Sequence, residues 1–96
     1  MAITSTGSII KASQISIYIF SIPKNAKCSG QTISEIASNK NFPNDTVIAG
    51  IFDSESDKFI VPRGERKIYE NNQIFLVGTE EDIQKAYKFL KKKKIF

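Results

Sequence analysis

The segment 46–52, Thr-Val-Ile-Ala-Gly-Ile-Phe, is apolar at every position after the first and β-branched in part. A run with no polar face reads as a central strand covered on both sides. Asp53, Ser54, Glu55, Ser56 and Asp57 follow as a polar turn, and Lys58, Phe59, Ile60 and Val61 as the returning strand of a hairpin. Pro62 ends that strand because it has no amide proton to give the ladder. At least one of its faces needs cover, which a second copy in a symmetric dimer would supply.

Upstream, Ile15, Ile17 and Ile19 alternate with Ser16, Tyr18 and Phe20, the period of a strand. Pro23 and Asn25 stop it. Gly30 is suited to a positive φ ahead of a helix. In that helix Thr32 and Glu35 form a capping box, and Ile33, Ile36 and Ala37 share one face. Asn39, Asn41 and Pro43 keep it short. The charged stretch 63–72 reads as mostly loop, and Ile74, Phe75, Leu76 and Val77 as the last strand. Gly78 is expected to turn the chain with a positive φ.

Thr79 and Asp82 repeat the capping logic for a second helix, with Ile83, Ala86, Tyr87 and Leu90 as its apolar stripe. Glu80 and Glu81 suit the positive end of its dipole, and Lys88 and residues 91–94, all lysine, the negative end. The order is strand, helix, strand, strand, strand, helix. It predicts an α+β fold with a mixed, mostly antiparallel sheet. Residues 1–13 are polar, rich in Ser and Thr and without a sustained period; they read as a flexible N-terminal arm or linker ahead of a domain over 14–96.

A chain of 96 residues with 41% hydrophobic content supports one core. Its longest apolar stretch, 15–22, is interrupted by Ser16 and Ser21 and falls far short of the ~20 residues a spanning helix needs. A single cysteine, Cys28, and the lack of a signal-peptide pattern make the cytoplasm the expected location. There is no histidine, so the commonest general base and the usual zinc arrangements are missing. No enzyme is expected. The net charge of +4 comes with four of the fourteen basic residues at 91–94, the remainder being nearly balanced. A phosphate-backbone binder spreads its charge over a face, so no specific nucleic acid is expected as a partner.

Three blocks carry a likeness: Gly30-Gln31-Thr32-Ile33-Ser34-Glu35-Ile36, then Phe59-Ile60-Val61-Pro62-Arg63-Gly64, then Asn72-Gln73-Ile74-Phe75-Leu76-Val77-Gly78-Thr79. In order and spacing they resemble the TrkA-C family, the C-terminal half of RCK (regulator of potassium conductance) domains, over about residues 14–90. The family pattern runs roughly G-K-T-L-x-E-L, an apolar strand, a strand ending in P-x-G, then G-D-x-L-x-V-x-G and a closing helix. Gln31 stands for the usual lysine, Asn72-Gln73 for Gly-Asp, and Phe52-Asp53 where many members have a basic residue.

The resemblance implies a homodimer that binds a small ligand between its copies and passes the state to a membrane-embedded ion channel or transporter. Cyclic di-AMP, or another nucleotide, is the leading ligand. The family's Rossmann-like half usually precedes this module, and no G-x-G-x-x-G occurs here, so the chain reads as a fragment of a longer regulator or as a domain appended to a transporter. Asn44, Thr46, Pro62 and Arg63 are the implied ligand-binding residues, flanking the strand ends at the dimer groove. A guanidinium at Arg63 can grip a phosphate bidentately. Two alternatives stay open: a structural dimerisation domain with an empty cleft, and a small basic nucleic-acid-binding protein.

Other features have plainer readings. Asp53, Glu55 and Asp57 alternate in the manner of oxygen ligands to a cation, yet no calcium-loop glycine or bidentate glutamate follows, so a solvated hairpin tip is favoured and no metal ligand is assigned. Residues 91–94 with Ile95 and Phe96 suit an anionic lipid surface, but four lysines are a marginal signal and a solvated helix end is favoured. Cys28, without a histidine partner, reads as an inert thiol. No catalytic residue is assigned.

Overall fold

The computed structural model describes the backbone of residues 3–4, 7–12 and 14–95 and the side chains of residues 14–95. Its elements are β1 (Ile3–Thr4), β2 (Gly7–Ala12), β3 (Ile15–Ser21), α1 (Ile33–Ser38), β4 (Thr46–Asp53), β5 (Lys58–Ile60), β6 (Asn72–Gly78) and α2 (Glu80–Leu90). From β3 onward this is the expected α+β order. β1 and β2 are additional, and they fall on residues read above as an arm. β2 pairs antiparallel with β3, with Ile10 opposite Ile17. A strand needs only backbone donors and acceptors to join a ladder, so a segment without side-chain period can still pair. Residues 1, 2, 5, 6 and 13, which belong to the same expectation, lie outside the described residues.

The sheet order is β1-β2-β3-β6-β4-β5, and every described pairing is antiparallel. The last strand in sequence therefore enters between two earlier ones. Along β6, Asn72, Ile74, Leu76 and Gly78 are buried and the residues between them half-buried. One core cluster joins Ile74 and Leu76 to Phe20 and Ile22, Ile51, Ile36 of α1, and Ile83, Ala86 and Leu90 of α2. Connecting loops add Ala26, Cys28, Phe42 and Ile68. On β3 it is Ser16 and Phe20 that are buried while Ile15 is exposed. Tyr18 and Phe20 both meet Tyr87 of α2 edge-on, at 5.3 and 4.9 Å between ring centroids.

The helices cover one face only. Strand alternation puts Ile17, Val77 and Val47 in one cross-strand row, and Ile19 beside Phe75 in the next, on the side away from Leu76 and Ile74. Phe59 of β5 meets Phe75 edge-on there. Val47 is 58% and Phe59 59% exposed. β4 is thus interior to the sheet but not covered on both faces as its composition predicts.

The capping expectations hold at atomic detail. The Thr32 hydroxyl accepts from the Glu35 N–H at 3.1 Å, while Glu35 Oε1 accepts from the Thr32 N–H at 3.0 Å. Thr79 Oγ1 accepts from the Asp82 N–H at 3.3 Å. Gly30 has φ +89° as anticipated. Gly78 does not take a positive φ: it ends β6 opposite Thr46, where a Cβ would lie 2.7 Å from the Asp45 carbonyl oxygen. Close strand approach, not a turn, requires glycine there. The positive φ before β6 falls on Asn71, at 71°, and Asn72 Oδ1 accepts from the Tyr69 N–H at 2.9 Å. The Gly-Asp pair of the family pattern thus corresponds to Asn71-Asn72, one residue earlier than assigned above.

Candidate functional site

The four residues proposed to bind ligand lie on the β4–β5 hairpin and its flanks. Asn44 is exposed in the turn before β4, and Thr46, the first residue of β4, is buried opposite Gly78. Because β5 runs antiparallel to β4, with Ile60 opposite Ile51, the chain leaving β5 heads back towards the end where Asn44 and Thr46 lie. Pro62 there is half-buried and Arg63 exposed. Among the described residues, no hydrogen bond or ion pair links one pair to the other.

The loop after β5 is held by α1. The Ser34 N–H donates to the Gly64 carbonyl at 3.0 Å and the Ile33 N–H to the Arg66 carbonyl at 2.9 Å. These take up donors that the first helical turn leaves without partners. Arg63 is thereby set beside the start of α1, its N–H donating to the Val61 carbonyl at 2.9 Å. The Glu35 carboxyl is held below the usual carboxylate range, first by the Thr32 N–H, then by the Thr32 hydroxyl, with the Lys67 charge adding to both.

Thr46 is the one buried side chain among the described residues whose polar atom has no hydrogen-bond partner. Leaving a hydroxyl so costs on the order of 1–3 kcal/mol. It is the group of the four with most to gain from a ligand or a second copy.

Cys28 is buried, and its thiol donates to the Leu90 carbonyl at 3.2 Å. Burial pushes it up to about 11, so the thiolate needed for reactivity is scarce at neutral pH. The hairpin tip is shaped by local bonds, with Asp53 Oδ1 accepting from the Glu55 N–H at 3.1 Å and Asp57 at φ 55°. Among the described residues no three metal-ligating side chains gather, and no helix is long and apolar enough to cross a membrane.

Two cavities flank α2. One, of about 300 Å³, opens between Ser16 and Tyr18 of β3 and Ile83 and Tyr87 of the helix. The other, of about 310 Å³, lies towards the loop 27–31. Neither is lined by any of the four candidate residues.

The model of one protein family, the TrkA-C domain, matches residues 17–91 of the chain. The chain belongs to the TrkA-C family. Among solved structures it is similar to the crystal structure of the GsuK RCK domain, with a TM-score of 0.64 and 15% identity over 94% of this chain and 20% of that one. It is also similar to the GsuK channel, with a TM-score of 0.67 and 20% identity over 97% of this chain and 17% of that one. It spans about a fifth or less of those chains, and at such identity the likeness concerns the fold. No curated protein sequence matches it.

Sequence reasoning missed one feature of the surface. α2 stops at Leu90, Lys91 caps it, and the lysines beyond leave the helix. Lys27 N–H donates to the Lys92 carbonyl at 2.7 Å, Lys94 N–H to the Asn25 carbonyl at 3.0 Å, and Ala26 and Lys93 form an antiparallel bridge. Read along the chain, 91–94 looked like a solvated helix end; the pairing partner lies more than sixty residues away and leaves no local signal.

Proposed function

We propose that this TrkA-C domain is the dimerising, ligand-sensing part of a cytoplasmic regulator of a potassium or other ion transport system, acting on a membrane-embedded channel or transporter and without catalysis of its own. The observation that carries the reading is the helix-free sheet face, where Val47 and Phe59 stand exposed beside Phe75. A second copy is the natural cover for such a face, since two-fold association is the commonest closed assembly of soluble proteins. Strand ends from both copies would then border one groove, and Asn44, Thr46, Pro62 and Arg63 would meet the ligand there. Cyclic di-AMP is the first ligand to test, with Arg63 placed against a phosphate.

Light scattering at micromolar concentration should report twice the 10.8 kDa chain mass. Cyclic di-AMP should raise the melting temperature, as a ligand that binds only the native state must, and Arg63→Ala should remove the rise. A persistent monomer would sink the reading. A dimer that ignores cyclic di-AMP, other nucleotides and divalent cations would favour the alternative of a purely structural dimerisation domain.

A further inference from the structure

Lys27, Lys85, Lys88 and Lys92 line a single cavity of about 310 Å³ between the loop 27–31 and α2. The chain reaches this arrangement from two distant segments. Lys85 and Lys88 are three apart on α2 and so share a face. Lys92 is held next to Lys27 by the backbone bond from Lys27 N–H. Cys28, also in the cavity wall, ties the loop to the end of the helix through its bond to the Leu90 carbonyl. The lysines are therefore attached to a fixed frame.

Among the described residues no carboxylate lines this cavity. Lys85 has Glu81 at 3.6 Å, an exposed pair with little strength. Lys27, Lys88 and Lys92 make no ion pair among the described residues. Lys91, next in sequence, is used elsewhere: its Nζ sits 4.8 Å from the Tyr87 ring centroid, on the other flank of the helix. All four lysines are exposed, so water and salt soften their mutual repulsion, yet four like charges border one concavity. Concave walls concentrate the resulting field. An anion of high charge density removes that repulsion.

Neutral donors complete the lining. Asn39 Oδ1 accepts from the Asn41 N–H at 2.9 Å, which leaves the Asn39 NH₂ as the group it can offer. Gln31, the residue that stands in for the usual lysine, lines the cavity too. Ammonium groups act as point charges towards phosphate oxygens and amides as directional donors.

We infer that this cleft is a binding site for a compact polyvalent phosphate, such as a di- or triphosphate group. Its volume is at the lower end for ligand sites and suits a phosphate chain, not a whole dinucleotide. The site is separate from residues 44, 46, 62 and 63, so it stands or falls independently of the proposed sensing groove. The phosphate chemistry has two sources, a free solute or a lipid headgroup.

Calorimetric titration of the chain with tripolyphosphate in 150 mM salt tests the first source. Co-sedimentation with phosphatidylcholine vesicles containing a phosphoinositide bisphosphate tests the second. Lys88→Glu and Lys92→Glu should each weaken binding at least about tenfold, since hydrogen bonds to charged groups are the strong ones. Lys58→Glu makes the same charge change on β5, outside the cleft, and should alter binding less than about twofold. Loss in the cleft variants alone supports the site, with the titration or the vesicles identifying the source. Equal loss in Lys58→Glu, or no binding in either assay, overturns it.

Discussion

The two faces of the sheet differ more than the residues on them do. Leu76 and Val77 are neighbours on β6, both aliphatic, yet Leu76 is fully buried under α2 and Val77 only half-buried on the bare side. The covered face gets its cover from within the chain, through Ile36, Ile83, Ala86 and Leu90. The other face, with Val47 and Phe59, carries no helix and leaves both side chains exposed. Hydrophobicity alone does not separate the faces; the position of α2 does.

Truncation on the two faces should break or confirm that contrast most directly. Leu76→Ala is expected to cost about 2–5 kcal/mol in urea melts, the range for a fully buried leucine. Val77→Ala should cost well under half as much in a monomeric sample. Similar losses would mean that the bare face is already covered. Gly78→Ala comes next: an added Cβ would meet the Asp45 carbonyl at 2.7 Å and Thr46 Oγ1 at 2.8 Å, and overpacking of this kind costs about 1–3 kcal/mol. A neutral Gly78→Ala would show that β4 and β6 can move apart.

Smaller effects sharpen the picture at the helices. Thr32→Ala should cost about 0.5–2 kcal/mol, because the hydroxyl that accepts from the Glu35 N–H is lost while the backbone half of the α1 capping box remains. The Cys28 thiol, raised to about 11 by burial, stays protonated in the native state over a range where the unfolded thiol, near 9, ionises. The unfolded state then binds fewer protons, so stability present below about pH 9 should decline between about pH 9 and 11. In Cys28→Ala that part of the decline should be missing from melts across this range. On the bare face Phe59→Ser should change monomer stability by no more than about 0.5 kcal/mol, while shifting a dimer towards 10.8 kDa in light scattering. An unchanged dimer mass would move the interface elsewhere.

Much of this could be seen in the amino-acid order because its causes are local. The β4–β5 hairpin, both capped helices and the positive φ of Gly30 each depend on residues within a few positions, and the motif blocks carried the family with them. The candidate ligand residues were placed by that resemblance, and they fall in two pairs, one at the start of β4 and one beyond the end of β5.

The sequence by itself determined the order of strands and helices from β3 onward and the starts of both helices, since capping, alternation and turn chemistry act over a turn or a strand width. Only the tertiary structure decided that β6 lies between β3 and β4, that Gly78 is there for want of room, and that β2 joins the sheet. It alone decided which face of the sheet stays bare and which lysines surround one cavity. These depend on contacts between residues tens of positions apart, whose pairing is set by the packing of whole elements and has no counterpart in neighbouring residues.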